Sequence, residues 1–249
     1  MKRSKITILL AIVLGMTFHS CLDLEPQDQL GGKNMWTSVN DYKQFANTFY
    51  SWTRDFSSVV YDGTHSDKRS DLITYQSYNE FSRGINSIPS SDANYTDNYK
   101  HIRRTNLLLQ NAEAYAKPED IKQYIGEAYF FRAYSYFDLL QLYGDVIITK
   151  KPLDITDPEM KVKRNDRSEV VDLIIDDLNH AVENLPAFKE LTTEEEGRIS
   201  KEGAQAFLSR VALYEGTWQK SRNGNQNTQR SANLLDIAAK AARTVIDAK

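Results

Sequence analysis

The fold of this chain is decided by residues 126–146, which read GEAYFFRAYSYFDLLQLYGDV. Aromatic and aliphatic side chains occupy most positions up to Tyr143, on every side of a helix. A helix that is apolar nearly all round must be covered by neighbours on more than one face. We therefore predict a helix from about Pro118 to Tyr143 at the centre of the fold. Gly144 should end it, and residues 145–152 should lead away as an extended segment.

Other amphipathic helices are predicted around this centre from apolar residues spaced three and four apart. They cover about residues 37–61, 92–112, 166–185, 200–216 and 228–249. Thr37 is the expected N-cap of the first, Asp166 and Glu169 have the spacing of a capping box, and Gly216 is expected to end its helix. The sequence therefore predicts an all-α fold with long irregular loops and little or no sheet.

A degenerate repeat relates two of these helices. A small residue, an arginine and a tyrosine recur at spacings of four: Ala128, Arg132 and Tyr136, then Ala206, Arg210 and Tyr214. Small residues that let helices approach, with an aromatic ring to fill the gap, are typical of tetratricopeptide hairpins. Irregular helical packing without a solenoid is the alternative.

The N-terminus has the pattern of a lipoprotein signal. Basic residues precede an apolar stretch over residues 6–18, and Cys21, the only cysteine in the chain, follows it. We predict a signal peptide over residues 1–20, acylation of Cys21, a lipidated tether over residues 21–36 and a helical domain over residues 37–249. The alternative is an ordinary secreted protein whose cysteine is incidental.

Composition excludes several classes of protein. A net charge of −3 disfavours a nucleic-acid partner, which usually requires a basic face. A single cysteine cannot form an intramolecular disulfide. The hydrophobic share of 41% in 249 residues is enough for a sizeable core, which excludes a disordered chain.

No pattern for catalysis or metal binding is convincing. There is no HExxH motif, and Asp62, Asp67 and Asp71 miss the spacing of a calcium loop. The acidic run of residues 194–196 is more typical of a solvated loop than of paired catalytic carboxylates. We therefore predict a protein that is not an enzyme and that needs no cofactor or metal.

A long polar loop over residues 62–93 is the best candidate for a binding site, because long loops in compact domains are often functional. Aromatic rings in and beside it fall off the helical pattern, and such rings can stack on sugars while polar side chains bond to the hydroxyls. The candidate ligand-binding residues are Asp67, Tyr75, Tyr78, Arg83 and Tyr95.

The chain resembles SusD-like (SusD/RagB) outer-membrane lipoproteins along its mature length. Five segments carry the resemblance in the same order: Cys21–Pro26, Ile102–Leu109, Gly126–Val146, Asp176–Pro186 and Gly203–Trp218. It covers only the N-terminal part of the family, so the domain is expected to be truncated before the C-terminal region.

The resemblance implies a tetratricopeptide-like scaffold anchored by lipid at the surface of a Gram-negative outer membrane. It further implies that the protein captures an oligosaccharide without altering it and partners a SusC-like TonB-dependent transporter. A tetratricopeptide adaptor for a protein or peptide, capture of a non-carbohydrate nutrient, and a peripheral glycan hydrolase are the alternatives.

Overall fold

A computed structural model describes residues 35–54, 80, 83–154, 156–222 and 228–248. The α-helices of this part are α1 Val39–Asn47, α2 Ala93–Ala112, α3 Lys122–Tyr143, α4 Arg167–Asn184, α5 Lys201–Arg222 and α6 Thr228–Asp247. Within the same residues the only β contact is an isolated antiparallel bridge between Val146 and Asn165. The predicted all-α fold with little or no sheet is confirmed.

Helix α3 is the centre of the fold, as its composition predicts. It contacts α1, α2 and α4, and most of its residues are buried. Pro118 opens a short 3-10 helix, Pro118–Ile121, that leads into α3. Gly144, with φ of 73°, ends α3 in the left-handed region that a glycine tolerates best. Both predicted boundaries are confirmed.

Helix α1 differs from its prediction at both ends. Its N-cap is Ser38, whose side chain forms a capping box with Asp41, one residue after the predicted Thr37. The α-helix stops at Asn47 and continues as a 3-10 helix, Thr48–Trp52, so the predicted end near residues 56–61 is wrong. The Thr48 hydroxyl donates to the Phe45 carbonyl at 2.7 Å, a local bond that competes with the α-helical ladder.

Consecutive helices pack on one another from α2 to α6, which produces a row of helical hairpins. The predicted capping box of Asp166 and Glu169 opens α4, and Leu178 in the middle of its apolar stripe is fully buried. Ser200 precedes α5, and its hydroxyl accepts from the Gly203 N–H at 3.2 Å. These hairpins are the tetratricopeptide-like arrangement that the sequence predicts.

Gly216 does not end α5, because the helix runs on to Arg222. A Cβ at Gly216 would lie 3.0 Å from Leu235 Cγ and 3.3 Å from Leu234 Cβ. The glycine therefore allows α6 to approach closely, a role that depends on a partner helix and not on the local sequence.

The two members of the predicted repeat are not equivalent in burial. Ala128 and Arg132 are buried, whereas Ala206 and Arg210 are exposed. Helix α3 is covered on more than one side, but the face of α5 that carries Ala206 and Arg210 is open to solvent in the described part of the chain.

Among the described residues, no helix combines the length and the apolar character that a membrane span requires.

Candidate functional site

The structure describes two of the predicted site residues. Cys21, Asp67, Tyr75 and Tyr78 lie outside the described residues. Arg83 is exposed in the segment before α2, and Tyr95 is half-buried in the first turn of α2. Of these two, Tyr95 lies on a helix with packed neighbours.

An extended segment follows α3 and lies along α2. We call residues 146–153 the strap. Three side chains of α2 donate hydrogen bonds to its carbonyls: Tyr99 to Ile147 at 2.8 Å, Arg103 to Leu153 at 3.3 Å, and Asn106 to Thr149 at 3.0 Å and Lys151 at 3.3 Å. Residues 99, 103 and 106 share one face of a helix, so a single stripe of α2 holds the whole strap.

Two further side chains hold the strap from other directions. The buried Tyr136 hydroxyl accepts from the Thr149 N–H at 2.8 Å and donates to the Thr149 carbonyl at 3.2 Å. The Asn165 side chain accepts from the Ile148 N–H at 2.9 Å, and the Asn165 N–H donates to the Val146 carbonyl at 2.9 Å. The backbone polar groups of the strap are thus bonded mainly to side chains, where a strand would use a sheet.

A groove of about 430 Å³ lies between α2 and the strap. We call it the strap groove. Its apolar lining is Tyr95, Tyr99, Ile147, Leu153 and Met160. Burial raises the pKa of Tyr99, whose hydroxyl is bonded to the strap, so the phenol stays neutral. Aromatic and aliphatic walls with polar groups at the rim suit a ligand that has both C–H faces and hydroxyls.

The charges at the rim of the strap groove are balanced. Lys100 pairs with Asp97 at 2.7 Å, Lys151 pairs with Glu159 at 2.7 Å, and Arg103 lies 3.8 Å from Asp154. These exposed pairs contribute little to stability, and a ligand can exchange them for its own hydrogen bonds. Because each cation has an acidic neighbour, the rim favours a neutral polar ligand over a highly charged one.

The ring of Tyr95 is positioned by two other tyrosines. Its centroid lies 4.8 Å from that of Tyr99 and 5.2 Å from that of Tyr143, the latter edge to face. The Tyr143 hydroxyl donates to Asp92 at 2.6 Å, and Asp92 also caps α2 through the Asn94 N–H at 2.9 Å. The end of α3 therefore fixes the first turn of α2 and, with it, the Tyr95 ring.

Sequence reasoning identified Tyr95 but missed the rest of the groove. The spacing of four between Tyr95 and Tyr99 was available as a signal that the two rings share a face. No local signal marks Ile147, Leu153 or Met160, because these residues become part of a site only when the strap lies along α2.

A second groove, of about 640 Å³, lies at the start of α4 and is lined by Arg167, Trp218 and Arg230. Arg167 pairs with the buried Glu215 at 2.7 Å, and its guanidinium lies 4.0 Å from the Trp218 ring centroid. Arg230 pairs with Asp172 at 2.8 Å. Arg167 and Arg230 are engaged within the fold, so this groove is a weaker candidate than the strap groove.

The described residues contain no cluster of His, Cys, Asp and Glu side chains suited to a metal ion. The histidines that the structure describes have other contacts. His101 stacks on Trp52 at 4.1 Å between centroids, and His180 lies near Asp176 and Glu183 on the surface of α4.

Comparison with known proteins identifies the family of the chain. A SusD-like family model, described as starch-binding and associating with the outer membrane, matches residues 22–213. A SusD-like protein of Formosa agariphila is 28% identical over 233 residues, which cover 86% of this chain and 42% of the relative.

Solved structures show the same similarity. A SusD-like protein of Bacteroides fragilis superposes with a TM-score of 0.68 at 25% identity, covering 90% of this chain and 41% of that one. A laminarin-binding SusD-like protein superposes with a TM-score of 0.50 at 29% identity, covering 64% of this chain and 32% of that one. This chain therefore spans less than half the length of these relatives. The family match extends over most of the sequence, and the chain belongs to the SusD-like family of carbohydrate-binding proteins associated with the outer membrane.

Proposed function

We propose that this protein captures a soluble oligosaccharide at the cell surface and delivers it to a SusC-like TonB-dependent transporter. The observation that carries the proposal is the strap groove, in which Tyr95 and Tyr99 face the apolar wall of the strap. An aromatic platform of this kind matches the C–H faces of pyranose rings, and the polar rim matches their hydroxyls.

The balanced rim supports a neutral glycan as the ligand. Lys100, Arg103 and Lys151 each have an acidic neighbour, so an anionic sugar would gain little net attraction. One structural neighbour is described as laminarin-binding, and the family description names starch. Glucans of these two kinds are therefore the first ligands to test.

The binding test compares Tyr95→Ala with Tyr115→Ala. Both tyrosines are half-buried, but Tyr115 follows the far end of α2, roughly 30 Å away at the rise of an α-helix, and contacts Tyr42. Calorimetry with maltoheptaose and laminarin oligosaccharides should show Tyr95→Ala weakening binding by about 1 kcal/mol, roughly fivefold, through the lost stacking face. Tyr115→Ala should bind as the wild type does.

Two results would contradict the proposal. Equal affinity in wild type and Tyr95→Ala would place the glycan away from the strap groove. Turnover of the oligosaccharide, detected by product analysis after incubation, would mean that the protein is an enzyme.

We further propose that residues 1–20 are a signal peptide and that Cys21 carries the lipid anchor of a tether over residues 21–36. The support is the sequence pattern around Cys21 and the outer-membrane association of the family. Cys21→Ala should abolish labelling by radioactive palmitate and remove the protein from the outer-membrane fraction. Labelling of the variant at the wild-type level would rule out this anchor.

The transporter partnership has a separate test. Affinity purification of the lipoprotein from detergent-solubilised outer membranes should recover a TonB-dependent transporter in the same complex. Recovery of the lipoprotein alone, under conditions that keep other outer-membrane complexes intact, would contradict the partnership.

A further inference from the structure

We infer that Asn106 is a positioning residue for ligand binding, because its buried amide fixes the strap wall of the strap groove relative to Tyr95 and Tyr99. This inference rests on the proposed function of the groove. Asn106 does not line the groove itself, and its side chain is fully buried. Its effect on a ligand must therefore pass through the strap.

Both the nitrogen and the oxygen of the Asn106 side-chain amide form hydrogen bonds. Its nitrogen donates to the carbonyls of Thr149 at 3.0 Å and Lys151 at 3.3 Å, and its oxygen accepts from Arg132 Nη1 at 2.8 Å. Residues two apart in an extended segment have the same orientation, so one amide can hold two carbonyls of the strap. Thr149 and Lys151 both line the groove, which places the contact directly behind its wall.

The side-chain oxygen of Asn106 is linked to the core through Arg132. Arg132 donates to Asp177 through Nε at 2.8 Å and Nη2 at 2.6 Å, and both side chains are almost completely buried. Burial by itself would lower the pKa of Arg132, but the carboxylate of Asp177 outweighs it and raises that pKa, so the guanidinium stays charged. A continuous polar chain therefore runs from α4 through α3 and α2 to the strap.

The residue type fits this role closely. Asparagine offers a donor pair and an acceptor on a short side chain, and aspartate of the same shape offers only acceptors. Asn106→Asp would keep the bond to Arg132 and lose both donations to the strap, where it would turn a negative oxygen towards two carbonyls. Tyr99, Arg103 and Tyr136 would still bind the strap, so the segment should shift locally and remain attached.

The experiment measures binding and local protection in the same variants. Calorimetry with maltoheptaose and laminarin oligosaccharides should show Asn106→Asp weakening binding roughly fivefold, because the shifted strap wall no longer fits a ligand held by Tyr95 and Tyr99. Hydrogen exchange should rise at the amides of Ile148 and Thr149. The control is Leu178→Ala, which removes a buried side chain of α4 that has no part in the groove. It should lower the melting temperature and raise exchange across the core in general, but leave the affinity unchanged.

Tyr136→Phe provides a second variant in case Asn106→Asp does not fold. It removes only the hydroxyl that bonds both backbone groups of Thr149, and Tyr136 does not line the groove. It should also raise exchange at Thr149 and weaken glycan binding. If Asn106→Asp folds and binds with wild-type affinity, the inference is overturned and the proposed function stands. If Asn106→Asp does not fold, wild-type affinity of Tyr136→Phe has the same meaning. Equal losses of affinity in Leu178→Ala and Asn106→Asp would also overturn it. A wild type that binds neither glucan overturns the proposed function and this inference together.

Discussion

Removing Arg132 should destabilise the protein strongly, because it leaves a charge buried without a partner. The side chains of Arg132 and Asp177 are 6% and 1% exposed, and they share two hydrogen bonds of 2.8 and 2.6 Å. In Arg132→Met the side-chain length is nearly kept, so the loss is mainly electrostatic. Breaking a buried ion pair in this way costs about 3–5 kcal/mol. That is a large share of the roughly 5–15 kcal/mol by which domains are stable.

The assay is urea unfolding followed by circular dichroism, with thermal melting as a second measurement. For a chain of this size, 1 kcal/mol corresponds to about 2–4 °C, so Arg132→Met should lower the melting temperature by roughly 6–20 °C. The double variant Arg132→Met/Asp177→Leu replaces both charges by apolar groups, and it should be more stable than the single variant.

The pH dependence provides an independent check. Burial raises the pKa of Asp177, and Arg132 opposes that rise. Without Arg132 the folded-state pKa should rise further above the unfolded value. The loss of unfolding free energy in Arg132→Met should then be fully present at high pH. It should shrink as the pH falls through the raised pKa of Asp177, because the carboxylate becomes neutral. A loss below 1 kcal/mol, or a double variant as unstable as the single one, would refute the reasoning.

Two further predictions concern helix packing and acid sensitivity. Gly216→Val places side-chain atoms about where Leu235 now lies, so the free energy of unfolding, measured with urea, should fall by roughly 1–3 kcal/mol. Thr217→Val, at the adjacent exposed position, should have nearly the wild-type free energy of unfolding. Equal stability of the two variants would contradict close packing there. Burial lowers the pKa of His101, which stacks on Trp52, so the unfolded chain takes up a proton at a higher pH than the folded one. The wild type should therefore lose stability as the pH falls from about 6.5 to the lower folded-state pKa. His101→Phe keeps a ring on Trp52 and should lose less stability over the same pH range. If the melting temperatures of wild type and variant fall in parallel between pH 8 and pH 5, His101 does not contribute to the acid sensitivity.

Much of the helical scaffold could be predicted because its signals are local. The all-round apolar composition of α3 identified the centre of the fold, and the capping box of Asp166 and Glu169 located the start of α4. The early end of α1 has a local cause in the bond from the Thr48 hydroxyl to the Phe45 carbonyl, but other differences arose where a long-range contact decides. Gly216 is read locally as a helix end, but in the structure it is the point at which α6 approaches α5. Arg210 is exposed because the face of α5 that carries it is open to solvent in the described part of the chain, and the local sequence does not show this.

The candidate site could be predicted only in part, for the same reason. Tyr95 was found because its ring falls off the helical pattern beside a polar loop. The strap was expected as an extended segment, but its role depends on bonds between residues far apart in the chain: Tyr99 and Ile147 are 48 residues apart, and Asn106 and Thr149 are 43 apart. Such pairings leave no periodic signal in a single sequence.

The residues that support the groove are different from the apolar residues that form its wall. Tyr99, Asn106 and Tyr136 bond to backbone groups of the strap, and backbone groups are the same whatever side chains the strap carries. Ile147, Leu153 and the half-exposed Met160 supply the wall, and none of them contributes a side-chain hydrogen bond to this support. The chemistry of the wall can therefore change at small cost in stability while the helices keep the strap in place.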